Sequence, residues 1–125
     1  MSKIAIIEDE PSIVEMYKFK LEQSGYEVQF SYNGKDGYEL ISNFKPDLIL
    51  LDLMMPEMSG DQLLEKIRRT DWGKSIKVIV LTNIGEDDAP PSLTELGVSR
   101  YVIKAQNTPS EVAVMVGEVL AEPPK

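Results

Sequence analysis

Residues 47–52 read Asp-Leu-Ile-Leu-Leu-Asp, a short aliphatic run with a carboxylate at each end. Four consecutive large apolar residues between polar ones are typical of a strand buried on both faces of a parallel sheet. Similar short runs, mostly apolar or β-branched, occur at residues 4–7, 28–31, 76–81 and 101–103. The sequence therefore predicts five strands, and residues 48–51 form the third.

Helical patterns separate these runs. Four of the helices are predicted from Pro11 to about Gly25, over residues 35–44, after Ser59 and from Thr108. Another helix, the fourth in chain order, should be short, because Pro90-Pro91 delay its start and Gly97 ends it. Five strands alternating with five helices predict an α/β fold, a doubly wound (βα)5 parallel sheet in the flavodoxin-like order 2-1-3-4-5.

Length and composition restrict the function further. A chain of 125 residues fits one domain, predicted over residues 1–121, with residues 122–125 as a C-terminal tail or linker stump. There is no cysteine or histidine, which excludes Ser-His and Cys-His catalysis and a phosphohistidine on this chain. A net charge of −8 disfavours direct nucleic-acid binding. Without a signal or membrane segment, we expect a cytoplasmic protein.

The polar residues at the ends of the predicted strands form a pattern. Glu8 and Asp9 follow the first strand, Asp52 the third, Thr82 the fourth and Lys104 the fifth. In a parallel sheet of this type, the carboxyl ends of the strands lie at one edge, and ligands bind there. We therefore expect these five side chains to lie close together.

Three carboxylates at one edge would repel one another unless a cation lies between them. Oxygen ligands without histidine or cysteine favour a hard cation, and Mg²⁺ is the abundant one in cells. One lysine and one threonine add a positive charge and a hydroxyl donor. This group set suits a phosphoryl group placed on a carboxylate, since the metal and the ammonium group neutralise its charge.

The motifs at residues 6–11, 47–60, 80–82 and 97–104 resemble those of receiver domains in two-component response regulators, as in chemotaxis regulators. The resemblance covers essentially the whole chain. It implies that Asp52 accepts a phosphoryl group from a histidine kinase. It also implies a set of Mg²⁺ ligands and a set of residues that contact or report the phosphoryl group. The Mg²⁺ ligands would be Glu8, Asp9, Asp52 and the backbone carbonyl of Met54. The residues that contact or report the phosphoryl group would be Thr82, Lys104 and Tyr101.

Besides the double proline Pro90-Pro91, which shortens the fourth helix, two residues depart from the family pattern. Ala105 follows Lys104 where the family usually has proline, and we predict that this peptide bond is trans. Asn83 follows Thr82 where the family usually has a small residue. It either narrows access to Asp52 or adds a polar contact there, so we expect it to modulate phosphorylation.

The leading hypothesis is a signalling switch rather than an enzyme, although the domain would assist its own phosphorylation and dephosphorylation. Phosphorylation would change the surface of the fourth helix, fifth strand and fifth helix. Expected partners are a sensor histidine kinase or phosphotransfer protein, and an effector protein or attached output domain. A phosphorylation-dependent homodimer is a further expectation; nucleic acid and membrane are not. The alternative is a phosphate-independent interaction module.

Two enzyme-like alternatives fit less well. A haloacid-dehalogenase-type phosphatase needs an acid two residues after the nucleophile, where this chain has Met54. An FMN-binding protein would not carry Glu8-Asp9-Glu10 beside the phosphate. Elsewhere, three basic residues of the third helix, Lys66, Arg68 and Arg69, are interpreted as a solvated face.

Overall fold

The computed structural model describes residues 1–123, in which five parallel strands alternate with five α-helices. The strands are β1 (Lys3–Ile7), β2 (Glu27–Ser31), β3 (Leu48–Leu51), β4 (Lys77–Thr82) and β5 (Arg100–Ile103). The helices are α1 (Pro11–Gln23), α2 (Gly34–Phe44), α3 (Gly60–Arg68), α4 (Leu93–Leu96) and α5 (Pro109–Ala121). The sheet order is β2-β1-β3-β4-β5, which confirms the predicted fold class and strand order.

The helices cover both faces of the sheet. Alternate residues of each strand point to opposite faces, so Ile6 packs on one side and its neighbours Ala5 and Ile7 on the other. Buried side chains of α1 and α5 form the core on the Ile6 face. Those of α2, α3 and α4 form the core on the other face. The central strands are therefore buried on both sides, which explains their continuous aliphatic sequence.

Local signals set the helix boundaries. The side chain of Asn33 accepts a hydrogen bond from the Asp36 N–H, 2.8 Å, at the start of α2. Thr108 and Glu111 form the predicted capping box of α5. Each of these contacts satisfies an N–H group that the first helical turn leaves without a partner.

Helix α4 is a single turn, as its flanking residues predict. Pro90 and Pro91 lack backbone N–H groups and precede its first residue, Leu93. Gly97 ends the helix in the left-handed region, with a φ of 75°. The segment between β4 and β5 therefore contains little regular backbone hydrogen bonding.

The interpretation of Arg68 as part of a solvated face was wrong. Its guanidinium group is partly buried and donates hydrogen bonds to backbone carbonyls from two other segments. The acceptors are Leu96, 2.7 Å, Gly97, 3.3 Å, Gly73, 2.7 Å, Lys74, 3.4 Å, and Ile76, 2.7 Å. Arg68 therefore satisfies several backbone carbonyls and connects the end of α3 to the end of α4 and to the segment before β4.

Two findings concern the limits of the domain. Helix α5 ends at Ala121, and of the predicted tail the structure describes Glu122 and Pro123. Residues 124–125 of that tail lie outside the described residues. No helix within residues 1–123 has both the length and the apolar composition needed to cross a membrane.

Candidate functional site

The candidate site lies at the carboxyl edge of the sheet, where β1 and β3 run side by side. Register pairs Ile7 with Leu51, so the residues that follow each strand are neighbours. The N–H of Asp52 continues the ladder and donates to the carbonyl of Ile7, 3.0 Å. Glu8 is fixed in a similar way, because its N–H donates to the carbonyl of Ser31. The parallel sheet thus places two carboxylates side by side, as predicted.

Lys104 reaches this pair from the end of β5. Its ammonium group donates hydrogen bonds to Oε1 of Glu8 and to Oδ2 of Asp52, the latter at 3.2 Å. The three side chains are nearly buried, with 10%, 3% and 6% of their surfaces exposed for Lys104, Glu8 and Asp52. One ammonium group therefore faces two carboxyl groups in a largely desolvated place. When both are ionised, one negative charge is left uncompensated.

This arrangement changes the acidity of both ionic partners. Burial raises the pKa of Glu8 to about 7, and the nearby charge of Asp52 adds to the increase, although the hydrogen bond from Lys104 opposes it. Burial alone would lower the pKa of Lys104. The hydrogen bond to Glu8 and the charge of Asp52 outweigh that effect and raise it. Lys104 is therefore protonated throughout the physiological pH range, whereas Glu8 gains or loses its charge near neutral pH.

An acidic cluster suitable for a cation lies beside the ion pairs. Carboxylate oxygens of Glu8, Asp9 and Glu10 all lie within 4.8 Å of one another. The N–H of Glu10 donates to Oε2 of Glu8, 3.1 Å, which draws the loop together. Glu10 was not among the predicted ligands, although it is adjacent to them in the chain. The donor set contains oxygen only, and this chemistry fits Mg²⁺.

The loop after β3 folds tightly around Asp52. The N–H of Met54 donates to Oδ1 of Asp52, 3.2 Å, and the N–H of Gly60 donates to the carbonyl of Leu53, 3.1 Å. A Cβ atom at position 60 would lie 2.2 Å from the Asp52 carbonyl oxygen. Only glycine fits there, so Gly60 permits the close return of the chain that holds the carboxylate in place.

Thr82 and Tyr101 are connected through one peptide segment. Thr82 is fully buried at the end of β4, and its hydroxyl accepts from the N–H of Ile84, 3.4 Å. The hydroxyl of Tyr101 donates to the carbonyl of the same Ile84, 2.7 Å. The sequence pointed to Thr82 and Tyr101 but not to Ile84, because Ile84 contributes only backbone atoms, which nearly all residue types carry.

Asn83 contacts the loop that carries Lys104. Its Oδ1 accepts a hydrogen bond from the N–H of Ala105, 3.0 Å. Within residues 1–123 no peptide bond is cis, so the Lys104–Ala105 bond is trans, as predicted. Asn83 and Ala105, the two single residues that depart from the family pattern, are therefore joined by a hydrogen bond.

Comparisons with known proteins identify the family. The sequence-family model named response regulator receiver domain matches residues 4–115 of this chain. The chain belongs to this family. The match confirms the predicted resemblance and the general function of a phosphoryl-accepting switch in a two-component system. Receiver domains are signalling domains that work with histidine kinases and output domains, and they bind Mg²⁺ at an acidic pocket.

Three similar proteins illustrate the relationship. The phosphate regulon transcriptional regulatory protein PhoB of Pseudomonas aeruginosa is 37% identical over 117 residues, 94% of this chain and 51% of that protein. The DNA-binding dual master transcriptional regulator RpaA of Synechocystis is 34% identical over 121 residues, 97% of this chain and 48% of that protein. This receiver domain thus spans about half the length of these curated relatives.

The third is a solved structure, the CheY-like response regulator receiver domain protein of Methanospirillum hungatei. It superposes with a TM-score of 0.86 at 29% identity, covering 96% of this chain and 94% of that one. Agreement over nearly the full length of both chains shows that the receiver fold is shared in its entirety.

Proposed function

We propose that Asp52 accepts a phosphoryl group from the phosphohistidine of a sensor histidine kinase or phosphotransfer protein, in a reaction that depends on Mg²⁺. The observation that carries this proposal is the buried ammonium group of Lys104 between the carboxylates of Glu8 and Asp52. A carboxylate in this position has a fixed orientation and a cation beside it. Those are the conditions that phosphoryl transfer to an aspartate requires.

In the transfer, an Asp52 oxygen attacks phosphorus, the bond to the histidine nitrogen breaks, and an acyl phosphate forms. Glu8, Asp9, Asp52 and the backbone carbonyl of Met54 would hold Mg²⁺, with the Glu10 carboxylate close by. The metal supplies positive charge that offsets the charge of the phosphoryl oxygens. Lys104 and the hydroxyl of Thr82 would donate hydrogen bonds to those oxygens.

The domain itself assists both directions of this chemistry, since the same groups stabilise phosphoryl transfer to Asp52 and later hydrolysis of the acyl phosphate. We include Asn83 as a residue that modulates both rates. We also propose that the domain comprises residues 1–121, that a tail or linker begins at residue 122, and that the protein is cytoplasmic.

Phosphorylation changes the surface formed by α4, β5 and α5. Shifting an equilibrium from 1:99 to 99:1 requires about 5.5 kcal/mol, whereas one charge-assisted hydrogen bond supplies about 1.5–3 kcal/mol. Two or three such hydrogen bonds are therefore needed, and Thr82, Lys104 and a backbone amide near Met54 can donate them. When Thr82 turns to the phosphoryl group, the N–H of Ile84 loses its hydroxyl acceptor. Ile84 then shifts, and the hydrogen bond between its carbonyl and Tyr101 shifts with it.

The changed surface would bind an effector protein or an attached output domain, or a second copy of this chain. Direct contact with nucleic acid is not part of the proposal, because the domain carries a net charge of −8. The relatives named as transcriptional regulators are about twice as long as this chain, and their printed activities refer to those whole proteins.

The decisive experiment is incubation with acetyl phosphate and Mg²⁺, followed by intact mass measurement and peptide mapping. We expect the gain of one phosphoryl group at Asp52, which depends on Mg²⁺ and is absent from Asp52→Asn. No gain in the wild-type protein would refute the proposal and favour a phosphate-independent interaction module.

The output step needs a separate test. Thr82→Ala should still be phosphorylated at Asp52, but phosphorylation should have a much weaker effect on its partner binding or self-association. The fully phosphorylated variant is compared with fully phosphorylated wild type, so that a lower degree of phosphorylation does not imitate the result. Equal responses would show that the signal does not pass through Thr82.

A further inference from the structure

Two asparagine side chains hold the backbone on either side of Lys104. The Oδ1 atom of Asn83 accepts from the N–H of Ala105, 3.0 Å. The Nδ2 atom of Asn107 donates to the carbonyl of Ile103, 2.9 Å. Lys104 lies between these contacts, at the start of a single 3₁₀ turn over residues 104–106. The Asn107 contact closes the turn on itself, and the Asn83 contact attaches the turn to another part of the fold.

The Ala105 contact comes from a different part of the sheet. Residues at the start of a helical turn have N–H groups without a partner inside the turn. A proline at position 105 would have no N–H, but alanine has one, and the Asn83 side chain satisfies it. Asn83 directly follows Thr82. The hydrogen bond thus links the end of β4 to the loop that carries Lys104.

We infer that Asn83 is a positioning residue for Lys104, and that it fixes the 104–106 turn so that the ammonium group stays directed at Glu8 and Asp52. This inference rests on the proposed function, because it assigns Asn83 a part in the phosphorylation of Asp52. It differs from a purely steric role. A side chain that only narrows access slows phosphorylation, whereas one that positions Lys104 accelerates it.

The sign of the change in rate separates the two roles. We expect Asn83→Ala to be phosphorylated by acetyl phosphate about two- to tenfold more slowly than wild type, the equivalent of one hydrogen bond of about 0.5–1.5 kcal/mol. Asn43→Ala is the matched control, since Asn43 is an exposed asparagine on α2, and it should react like wild type. Faster phosphorylation of Asn83→Ala would overturn the inference in favour of the steric role.

A second measurement reads Lys104 directly and does not depend on phosphorylation. An amine-acylating reagent is applied briefly in metal-free buffer, and the extent of labelling of each lysine is read by peptide mass spectrometry. Lys104 should be labelled several-fold faster in Asn83→Ala than in wild type, because its loop is less well held. Lys77 at the opposite edge of the sheet serves as the internal reference and should not change.

Asn83→Asp completes the labelling experiment. It keeps an oxygen in the position of Oδ1 that can accept the Ala105 N–H, so Lys104 should remain as protected as in wild type. Equal labelling of Lys104 in wild type and Asn83→Ala would overturn the inference. If wild type gains no phosphoryl group, the proposed function fails, while the labelling results still decide whether Asn83 positions Lys104.

Discussion

Two partly buried lysines at opposite edges of the sheet have different partners. At the amino edge, where the strands begin, Lys77 donates to the backbone carbonyls of Val119, 2.7 Å, and Glu122. It thereby caps the end of α5. At the carboxyl edge, Lys104 donates to the carboxylates of Glu8 and Asp52. Both ammonium groups are satisfied by hydrogen bonds, but only Lys104 is satisfied by groups that carry charge.

The difference separates a structural contact from a responsive one. A backbone carbonyl does not take up a proton near neutral pH, and its hydrogen bond to Lys77 therefore persists across physiological conditions. A carboxylate can be protonated, bound by a metal or phosphorylated, and each event changes what Lys104 contacts. Arg68 at the amino edge resembles Lys77, since all its acceptors are carbonyls. Lys77 and Arg68 are therefore held by groups that keep the same charge, whereas the partners of Lys104 respond to protons and ligands.

The largest expected effect comes from removing each ammonium group in turn. Lys104→Met should lower the free energy of unfolding by about 3 kcal/mol at pH 8 in metal-free buffer, because two buried carboxylates lose their cation. Lys77→Met should cost about 1–2 kcal/mol through the lost carbonyl contacts. Saturating Mg²⁺ should restore much of the stability of Lys104→Met only. Denaturant titration measures both, and equal responses to Mg²⁺ would remove the distinction between the edges.

A second experiment tests whether Arg68 is purely structural. Arg68→Met leaves five backbone carbonyls without this donor, and we expect a loss of about 2 kcal/mol in the free energy of unfolding. The initial rate of phosphorylation by acetyl phosphate should stay near the wild-type value at a temperature where the variant is folded. A selective loss of phosphorylation in the folded variant would connect the amino edge to the site.

A smaller effect is expected from pH. The pKa of Glu8 is about 7 in the folded protein and near its ordinary value of 4.5 in the unfolded chain. Between these values the folded state retains a proton that the unfolded state has lost, so the contribution of Glu8 makes stability fall as pH rises through this window.

Comparison of wild type with Glu8→Gln isolates this contribution. In metal-free buffer, the free energy of unfolding of wild type should fall relative to that of Glu8→Gln between about pH 5 and pH 7. Mg²⁺ should reduce the difference, because the metal favours the ionised carboxylate. Parallel pH curves for the two proteins would show that Glu8 is not in a charged and buried environment.

Much of the fold was predictable from the sequence, because each central strand is a continuous aliphatic run and each helix has a recognisable start or end. The convergence of Glu8, Asp52 and Lys104 followed from the topology, since parallel strands end at one edge. The short α4 was predictable as well, because proline and glycine act locally and independently of the rest of the fold.

Other features could not be predicted, and they share a physical cause. The acceptors of Arg68 and the Ile84 link between Thr82 and Tyr101 are backbone groups. Nearly all residue types carry such groups, so the sequence does not reveal which of them make these contacts. The Asn83 side chain accepts from the N–H of Ala105, which lies 22 residues away in the chain. Such contacts arise only when the fold brings distant loops together.

The most direct test of the account is the stability of Asp52→Asn, measured by denaturant unfolding in metal-free buffer and again with Mg²⁺. At pH 8, where Glu8 is ionised, removing one of two buried carboxylates around a single ammonium group relieves repulsion, so the variant should be at least as stable as wild type without metal. Mg²⁺ at tenfold excess over its dissociation constant should stabilise wild type by about 1.4 kcal/mol and the variant by less. A clear loss of stability of Asp52→Asn in metal-free buffer would contradict the account.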